Sequence, residues 1–443
     1  MDWNHLLSIT RYGQEDRKKE KSKSIRSEFQ RDYDRLIFSS PFRRMQNKTQ
    51  VFPLPGSVFV HNRLTHSLEV ASIGRTLGVA VSEELLNNKE FSHVHGLSEI
   101  GTIVATACLA HDMGNPPFGH SGEKAISSFF EKGEGKEIID HFKLTPQQRN
   151  DLTRFEGNAN ALRLLTHQFN GRRFGGFSLT YTTLASLIKY PYPSVNDSEK
   201  KKYGYFQTEQ RTFSNIADQL KLKKLSEGHY ARHPLVHLVE AADDISYLIM
   251  DLEDAQKLNI INTLRAKELL FDFHSAKEKQ RIDKVMKEVT DVNEQISYLR
   301  AITINKLAQA AAKVFINHQK DILEGTFEGS LSARFEKQLQ RPMEELREVG
   351  FNEIYKHRKV VEIELAGFNI LETLVREFTL ALQNQNSKYY ENILKLVPAQ
   401  FRIYDENPYE RLRSVIDYIS GMTDLYALEI YRTINGIEMP SLR

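Results

Sequence analysis

The stretch His111-Asp112-Met113-Gly114-Asn115-Pro116-Pro117-Phe118-Gly119-His120-Ser121-Gly122-Glu123 decides how the rest of the chain is read. It sets four groups able to bind metal or move protons, His111, Asp112, His120 and Glu123, around a proline pair and three glycines. Upstream, Glu99 to Ala110 predicts a helix, because Ile100, Ile103, Val104, Ala107 and Cys108 recur at helical spacing. His111 is the next step of that stripe, so it is predicted to point inward. Gly114 and Pro116-Pro117 must end the helix, since a proline holds the residue before it out of helical space. Ser121 is the expected cap of a second helix carrying Glu123. Helix, sharp turn and helix then put two polar clusters on one cavity.

Working outward, Arg63 opens a predicted helix whose inward stripe runs His66, Val70, Ile73, Leu77. Buried imidazoles and carboxylates need partners, and a metal satisfies several at once. A further acid is therefore expected, and the predicted helix from His233 to Ala255 supplies it. Leu235, Leu238, Val239, Ala242, Ile249 and Leu252 form its apolar side, and Glu240, Asp243, Tyr247, Asp251 and Asp254 form a second stripe. Acids on a mostly apolar helix are costly to bury unless coordinated or hydrogen-bonded, and Ala241-Ala242 permits close approach, so this stripe reads as a pocket wall.

Composition narrows the remaining choices. The chain has 443 residues, with Lys+Arg 60 against Asp+Glu 58 and a formal charge of +2, so no global charge argues for nucleic acid or membrane binding. The single cysteine, Cys108, excludes an internal disulfide framework and any multi-cysteine zinc site. Met1-Asp2-Trp3-Asn4 begins without a basic and apolar leader, and no run of about 18 apolar residues occurs. The chain reads as cytoplasmic, with no membrane partner.

Residues 1–30, dominated by the run Arg17-Lys18-Lys19-Glu20-Lys21, are expected to form a charged, mobile or partner-ordered arm. Residues 31–260 form the expected helical core, within which Lys48 to Phe52 is strand-like before a turn at Pro53 to Gly56. Residues 261–443 form a helical region that completes the pocket and makes oligomer contacts. There, Lys277 to Asn317 carries the amphipathic spacing of helices that pack on the core or on another subunit, and a last helix from Arg411 to Tyr431 is broken at Gly421-Met422. The loop Gly171-Arg172-Arg173-Phe174-Gly175-Gly176-Phe177 is a possible contact for phosphate or single-stranded nucleic acid, or a plain connector. The fold class is all-α.

The order His66, then His111-Asp112, then an aspartate on a distant helix resembles the ligand order of the HD-domain metal-dependent phosphohydrolases. Within that superfamily, Arg63-Leu64-Thr65-His66-Ser67-Leu68-Glu69, the stretch from His111 to His120, and Glu240-Ala241-Ala242-Asp243-Asp244-Ile245-Ser246-Tyr247 are similar to the deoxyguanosinetriphosphate triphosphohydrolase (dGTPase-like) family. Further similar stretches are Phe42-Arg43-Arg44 with Lys48 to Phe52, Arg154 to Ala159, Leu179-Thr180-Tyr181, Lys189-Tyr190-Pro191, Tyr203 to Phe206 and Asp417 to Asp424. Residues from about Ile260 to Glu345 resemble it least.

The resemblance implies an HD-domain helical core and one divalent metal per site, held by His66, His111, Asp112 and Asp243. Asp243 is favoured over Asp244 because the family places this ligand four residues before a tyrosine and eight before a second aspartate, here Tyr247 and Asp251. Two imidazoles and two carboxylates suit Mn²⁺, Mg²⁺ or Fe²⁺ better than a closed structural zinc site. The implied reaction is hydrolysis of a deoxynucleoside triphosphate, dGTP favoured, to deoxynucleoside and tripolyphosphate. His120 is the implied proton-transfer residue, with Glu123 and Glu156 orienting it. Arg63, Lys189, Tyr190 and Lys202 are implied phosphate ligands; Gln50 and Asp251 hold the 3′ hydroxyl, and Tyr247 fills the place of a 2′ hydroxyl. Leaving an added hydroxyl buried without a partner costs about 1–3 kcal/mol. A homo-oligomer is expected. The alternatives are an HD phosphohydrolase acting on another nucleotide, a nucleotide sensor without turnover, and, weakest, a nuclease or nucleic-acid-binding role.

Overall fold

The computed structural model describes residues 1–16, 25–52, 60–91, 93–195, 202–402 and 407–438. The all-α expectation holds: among these residues the only sheet is a two-stranded hairpin, Lys224–Ser226 with His229–Tyr230. No described helix is long and apolar enough to cross a membrane.

The centre is built on the Arg63–Asn87 and Ile100–Ala110 helices, which pack along their length. Their backbones meet because glycine faces glycine: a Cβ on Gly78 would lie 2.7 Å from the Gly101 Cα. The expected stripe residues Val70, Ile73 and Leu77 are buried beside Ile100, Ile103, Val104 and Ala107. The Val236–Lys257 helix crosses this pair, and the Val292–Asn317 helix closes it from behind. A second apolar cluster gathers the Gly119–Glu131, Arg358–Gln383, Pro408–Ser420 and Asp424–Ile434 helices. The turn from His111 to Phe118 joins the two clusters, since Met113 is buried in the first and Phe118 packs against the second. The expected break at Gly421-Met422 separates the last two helices.

Three expectations are corrected. Residues 1–16 are not a mobile arm: Trp3, Leu6, Leu7 and Tyr12 are buried in the first cluster, and Arg11 pairs with buried Asp32 at 2.5 Å. The charged run at 17–21 lies outside the described residues, as does the turn expected at 53–56. Lys48 to Phe52 forms no strand; a short 3-10 turn, Met45–Asn47, precedes it and only Thr49 bridges to Asn62. Ser121 does not cap its helix. The cap position is Phe118, in the left-handed region at φ 59°, and Ser121 lies inside the helix with its hydroxyl donating to the Glu364 carbonyl at 2.5 Å. The cap residue itself is held from afar: Asp424 Oδ1 accepts from Phe118 N at 3.0 Å.

Candidate active site

His66 sits one turn into the Arg63–Asn87 helix, started by a reciprocal capping box between Asn62 and Thr65. His111 follows the last turn of the Ile100–Ala110 helix, where its Nδ1–H donates to the Cys108 carbonyl at 2.6 Å and turns Nε2 toward the carboxylates. Asp243 comes from the crossing helix and places Oδ1 3.2 Å from His66 Nε2 and 3.4 Å from His111 Nε2. Asp112 Oδ1 is 3.6 Å from His111 Nε2. Ligand atoms of His66, His111 and Asp112 lie within 4.8 Å of one another.

Asp112 is fixed from both sides: Arg63 Nη1 donates to Oδ2 at 2.7 Å and Asn115 Nδ2 to Oδ1 at 2.6 Å. Burial disfavours charge on His111, yet Asp112 and Asp243 outweigh it and hold its pKa up at about 9. The carboxylates thus draw positive charge into the cluster, a demand that a divalent cation meets with two nitrogen and two oxygen donors. Asp244, next in sequence, also lines the cavity but is held by Ser332; its Oδ2 accepts from that hydroxyl at 2.9 Å, and burial, aided by Asp243 and Glu240, pushes it up to about 6.

The turn after Asp112 is held close. A Cβ on Gly114 would fall 2.2 Å from both Ala161 N and the Gly157 carbonyl, so only glycine fits there. Asn160 Nδ2 donates to the Gly114 carbonyl at 2.7 Å, and buried Lys48 donates to the carbonyls of Asn115 at 2.6 Å and Ser420 at 2.8 Å. Burial, with Arg63 adding, lowers the Lys48 pKa to about 7. Asp424 straps the same region, its second oxygen accepting from Thr49 N at 2.7 Å.

Beyond the turn, His120 Nδ1 bonds Glu123 Oε2 at 2.7 Å, and its side chain is 76% exposed. Glu123 Oε1 accepts from Gly157 N at 2.8 Å. The His120–Glu123 bond raises the pKa of His120, and that interaction outweighs burial to lower Glu123. Burial and nearby Glu123 raise Glu156, which pairs with Lys202 at 2.8 Å and accepts from Asn158 Nδ2 at 2.5 Å. Lys189 pairs with Glu240 at 3.1 Å, and Arg232 holds the other oxygen of Glu240 at 3.0 Å.

These groups surround one cavity of about 390 Å³, which reaches from Gln50 and Tyr247 past the imidazole pair to Tyr190 and Lys202. Every residue assigned a role from the sequence lines it except Glu156 and Asp251. Glu156 stands behind Lys202 and Asp251 behind Tyr247. Burial pushes Asp251 up to about 8, against the opposing effect of the Tyr355 hydroxyl, which donates to its Oδ2 at 2.7 Å. The Tyr355 ring stacks on Tyr247 at 5.7 Å. Gln50 Oε1 is buried with no hydrogen-bond donor among the described residues, an acceptor open to a partner.

Sequence reasoning missed Asn115, Lys48, Tyr355 and Asp424 as parts of the site. Asn115 was open to discovery, since it stands three residues after Asp112 in the same turn; the others meet the site only through long-range contacts.

The HD domain family model matches residues 63–172, and that of the phosphohydrolase-associated domain matches residues 333–433. A deoxyguanosinetriphosphate triphosphohydrolase-like protein of Synechocystis is 36% identical over 463 residues, covering 99% of this chain and 100% of the relative. A like-named Pseudomonas aeruginosa protein is 35% identical over 454 residues, covering 100% of both. A deoxyguanosinetriphosphate triphosphohydrolase of Cronobacter sakazakii is 30% identical over 490 residues, covering 93% of this chain and 94% of the relative.

Proposed function

Because the chain belongs to the deoxyguanosinetriphosphate triphosphohydrolase-like family of HD-domain phosphohydrolases, we propose that it hydrolyses deoxynucleoside triphosphates, dGTP foremost, to deoxynucleoside and tripolyphosphate. His66, His111, Asp112 and Asp243 would hold one divalent cation, Mn²⁺, Mg²⁺ or Fe²⁺ by donor type. Such a cation, when bound, polarises a phosphate oxygen and makes water a better nucleophile. Arg63, Lys189, Tyr190 and Lys202 bind the phosphates and neutralise charge on the non-bridging oxygens. For this, Lys189 and Lys202 exchange part of their present pairing with Glu240 and Glu156.

Water adds to the α-phosphorus and the bond from phosphorus to the 5′ oxygen breaks. The hydroxyl stays with the tripolyphosphate and a proton reaches the 5′ oxygen. His120 delivers that proton from Nε2, because Nδ1 is occupied by Glu123; Glu156 acts through Lys202 and Glu123 as a positioning residue. Gln50 and Asp251 receive the 3′ hydroxyl, while the Tyr247 ring, backed by Tyr355, leaves a 2′ hydroxyl no space and no partner. The protein works as a cytoplasmic homo-oligomer in this reading.

The observation that carries the proposal is the separation within one cavity of two kinds of histidine: His66 and His111 converge on Asp243, and His120 stands apart on Glu123. The test is chromatography of products from each dNTP and from GTP with Mn²⁺ or Mg²⁺. Deoxyguanosine with intact tripolyphosphate is expected, and GTP is left uncut. Pyrophosphate or single phosphate as first product overturns it.

A further inference from the structure

Behind the sugar end of the catalytic cavity, one imidazole is held between two carboxylates. His61 Nδ1 is 2.7 Å from Asp254 Oδ1, and its Nε2 is 2.9 Å from Glu69 Oε1. The grip on Asp254 is double, since the backbone N–H of His61 donates to Oδ2 at 2.8 Å. With a carboxylate oxygen at each ring nitrogen, the imidazole carries both protons. Burial opposes that charge, but the bonds to Asp254 and Glu69 outweigh it and hold the pKa up at about 10. The His61 and Asp254 side chains are 14% and 4% exposed, and an ion pair taken this far out of water adds little net stability. What it contributes is fixed position.

Position matters here because His61 adjoins two residues of the sugar slot. Asp254 lies three residues after Asp251 on the Val236–Lys257 helix, one turn along the same face. On the other side, Thr49 bridges antiparallel to Asn62, and Arg63 N donates to the Lys48 carbonyl at 3.1 Å. Carried one residue further, that register sets Gln50 across from His61. The backbone of His61 thus runs beside Gln50, while its ring and N–H hold the helical turn beside Asp251. Its charge reaches the same carboxyl: burial raises the pKa of Asp251, the Tyr355 hydroxyl opposes that, and His61 opposes it further against Asp254 and Asp243.

We propose that His61 is the positioning residue for 3′-hydroxyl recognition: through Asp254 it sets Gln50 and Asp251 at the spacing that tells a 3′-hydroxyl nucleotide from a 3′-deoxy one. The inference rests on the 3′-hydroxyl role given above to Gln50 and Asp251. His61 does not line the cavity, so it acts through these two residues and leaves the chemistry to His120 and the metal cluster. Of its two side-chain links, the one to Asp254 carries the effect, because Glu69 stands on the Arg63–Asn87 helix, away from Asp251 in sequence.

The test is isothermal titration of the full-length, Mn²⁺-loaded protein with dGTP and with 2′,3′-dideoxyguanosine triphosphate (ddGTP), which lacks only the 3′ hydroxyl. A His120→Ala background slows turnover, so the titration reads binding. That parent is expected to hold dGTP about tenfold more tightly than ddGTP, the worth of one well-made hydrogen bond. His61→Gln keeps a donor toward Glu69 and none toward Asp254, and should bring the two affinities together by weakening dGTP alone. His61→Asn, whose amide reaches Asp254, should retain most of the preference. Metal content stays full in both. With His120 restored, His61→Gln should raise the KM for dGTP and leave kcat in place. Full preference for dGTP in His61→Gln overturns the proposal. An equal loss for dGTP and ddGTP also overturns it, because it marks a clamp that is only structural. Asp254→Asn keeps the side-chain shape and should lose the preference too; it decides the matter where His61→Gln fails to fold, and an unchanged preference there overturns the proposal. A parent that binds dGTP and ddGTP equally removes the 3′-hydroxyl role of Gln50 and Asp251, and this inference with it. A parent that discriminates, with His61→Gln discriminating as well, removes His61 alone.

Discussion

His66, His111 and Asp112 stand at the ends of two helices that touch through facing glycines, whereas Tyr247, Asp251 and Tyr355 meet only because a distant π-helical turn, Gly350–Ile354, delivers a ring to the Val236–Lys257 helix. The first group is braced by near neighbours in sequence: Asn115 is three residues from Asp112, and Cys108 three from His111. The second depends on a contact across 104 residues. In the proposed reading, chemistry rests on the half braced by local contacts and sugar recognition on the half assembled by a long-range one.

The largest expected effect tests the locally braced half. His111→Ala or Asp112→Ala should lose stoichiometric metal by elemental analysis and all measurable dGTP turnover; retention of metal by both would break the division. His120→Ala should keep its metal and slow dGTP hydrolysis by about 10²–10⁴-fold, the usual worth of a positioned acid. Because Glu123 raises the pKa of His120 above its ordinary value, the rate should fall on the alkaline side, with a limb above that of a free imidazole. Glu123→Gln removes that cause, so the alkaline limb of the rate profile should move down toward 6.5; an unmoved limb assigns the titration to another group.

Smaller changes sharpen the comparison. Asn115→Ala leaves Asp112 its Arg63 partner, so metal affinity should weaken by about 10–100-fold without being lost. Tyr355→Phe deprives Asp251 of its donor, which should cost about 1–3 kcal/mol in thermal or denaturant unfolding. It should also raise the KM for dGTP and narrow the gap to GTP, while metal content stays full. Loss of metal in Tyr355→Phe would show that the halves are not separable.

What could be read from the sequence follows the same line. Helical periodicity placed His66 and His111 on buried faces, and one stripe on the crossing helix held Glu240, Asp243 and Tyr247, all of which line the cavity. These are local patterns. The N-terminal segment was misjudged because a run of charges masked the spacing of Trp3, Leu6 and Leu7, whose burial depends on partners far along the chain. Ser121 looked like a cap because serine caps helices well, but the cap position falls on Phe118, whose left-handed turn is held by Asp424, 306 residues on. No local signal announces such a partner. Tyr355 was hidden for the same reason: a tyrosine in an unremarkable loop acquires its role only once Asp251 is buried beside it.

The Asp424 strap also orders events in time. One carboxylate holds the backbone of Thr49, 375 residues earlier, and that of Phe118 in the turn beside the metal cluster. During synthesis, residues 63–172 emerge and can form their helices long before Asp424 exists. A ribosome-bound chain then carries the two histidines and Asp112 before the strap that holds the turn. The contacts of the Phe118 turn are therefore completed only when the chain is nearly whole.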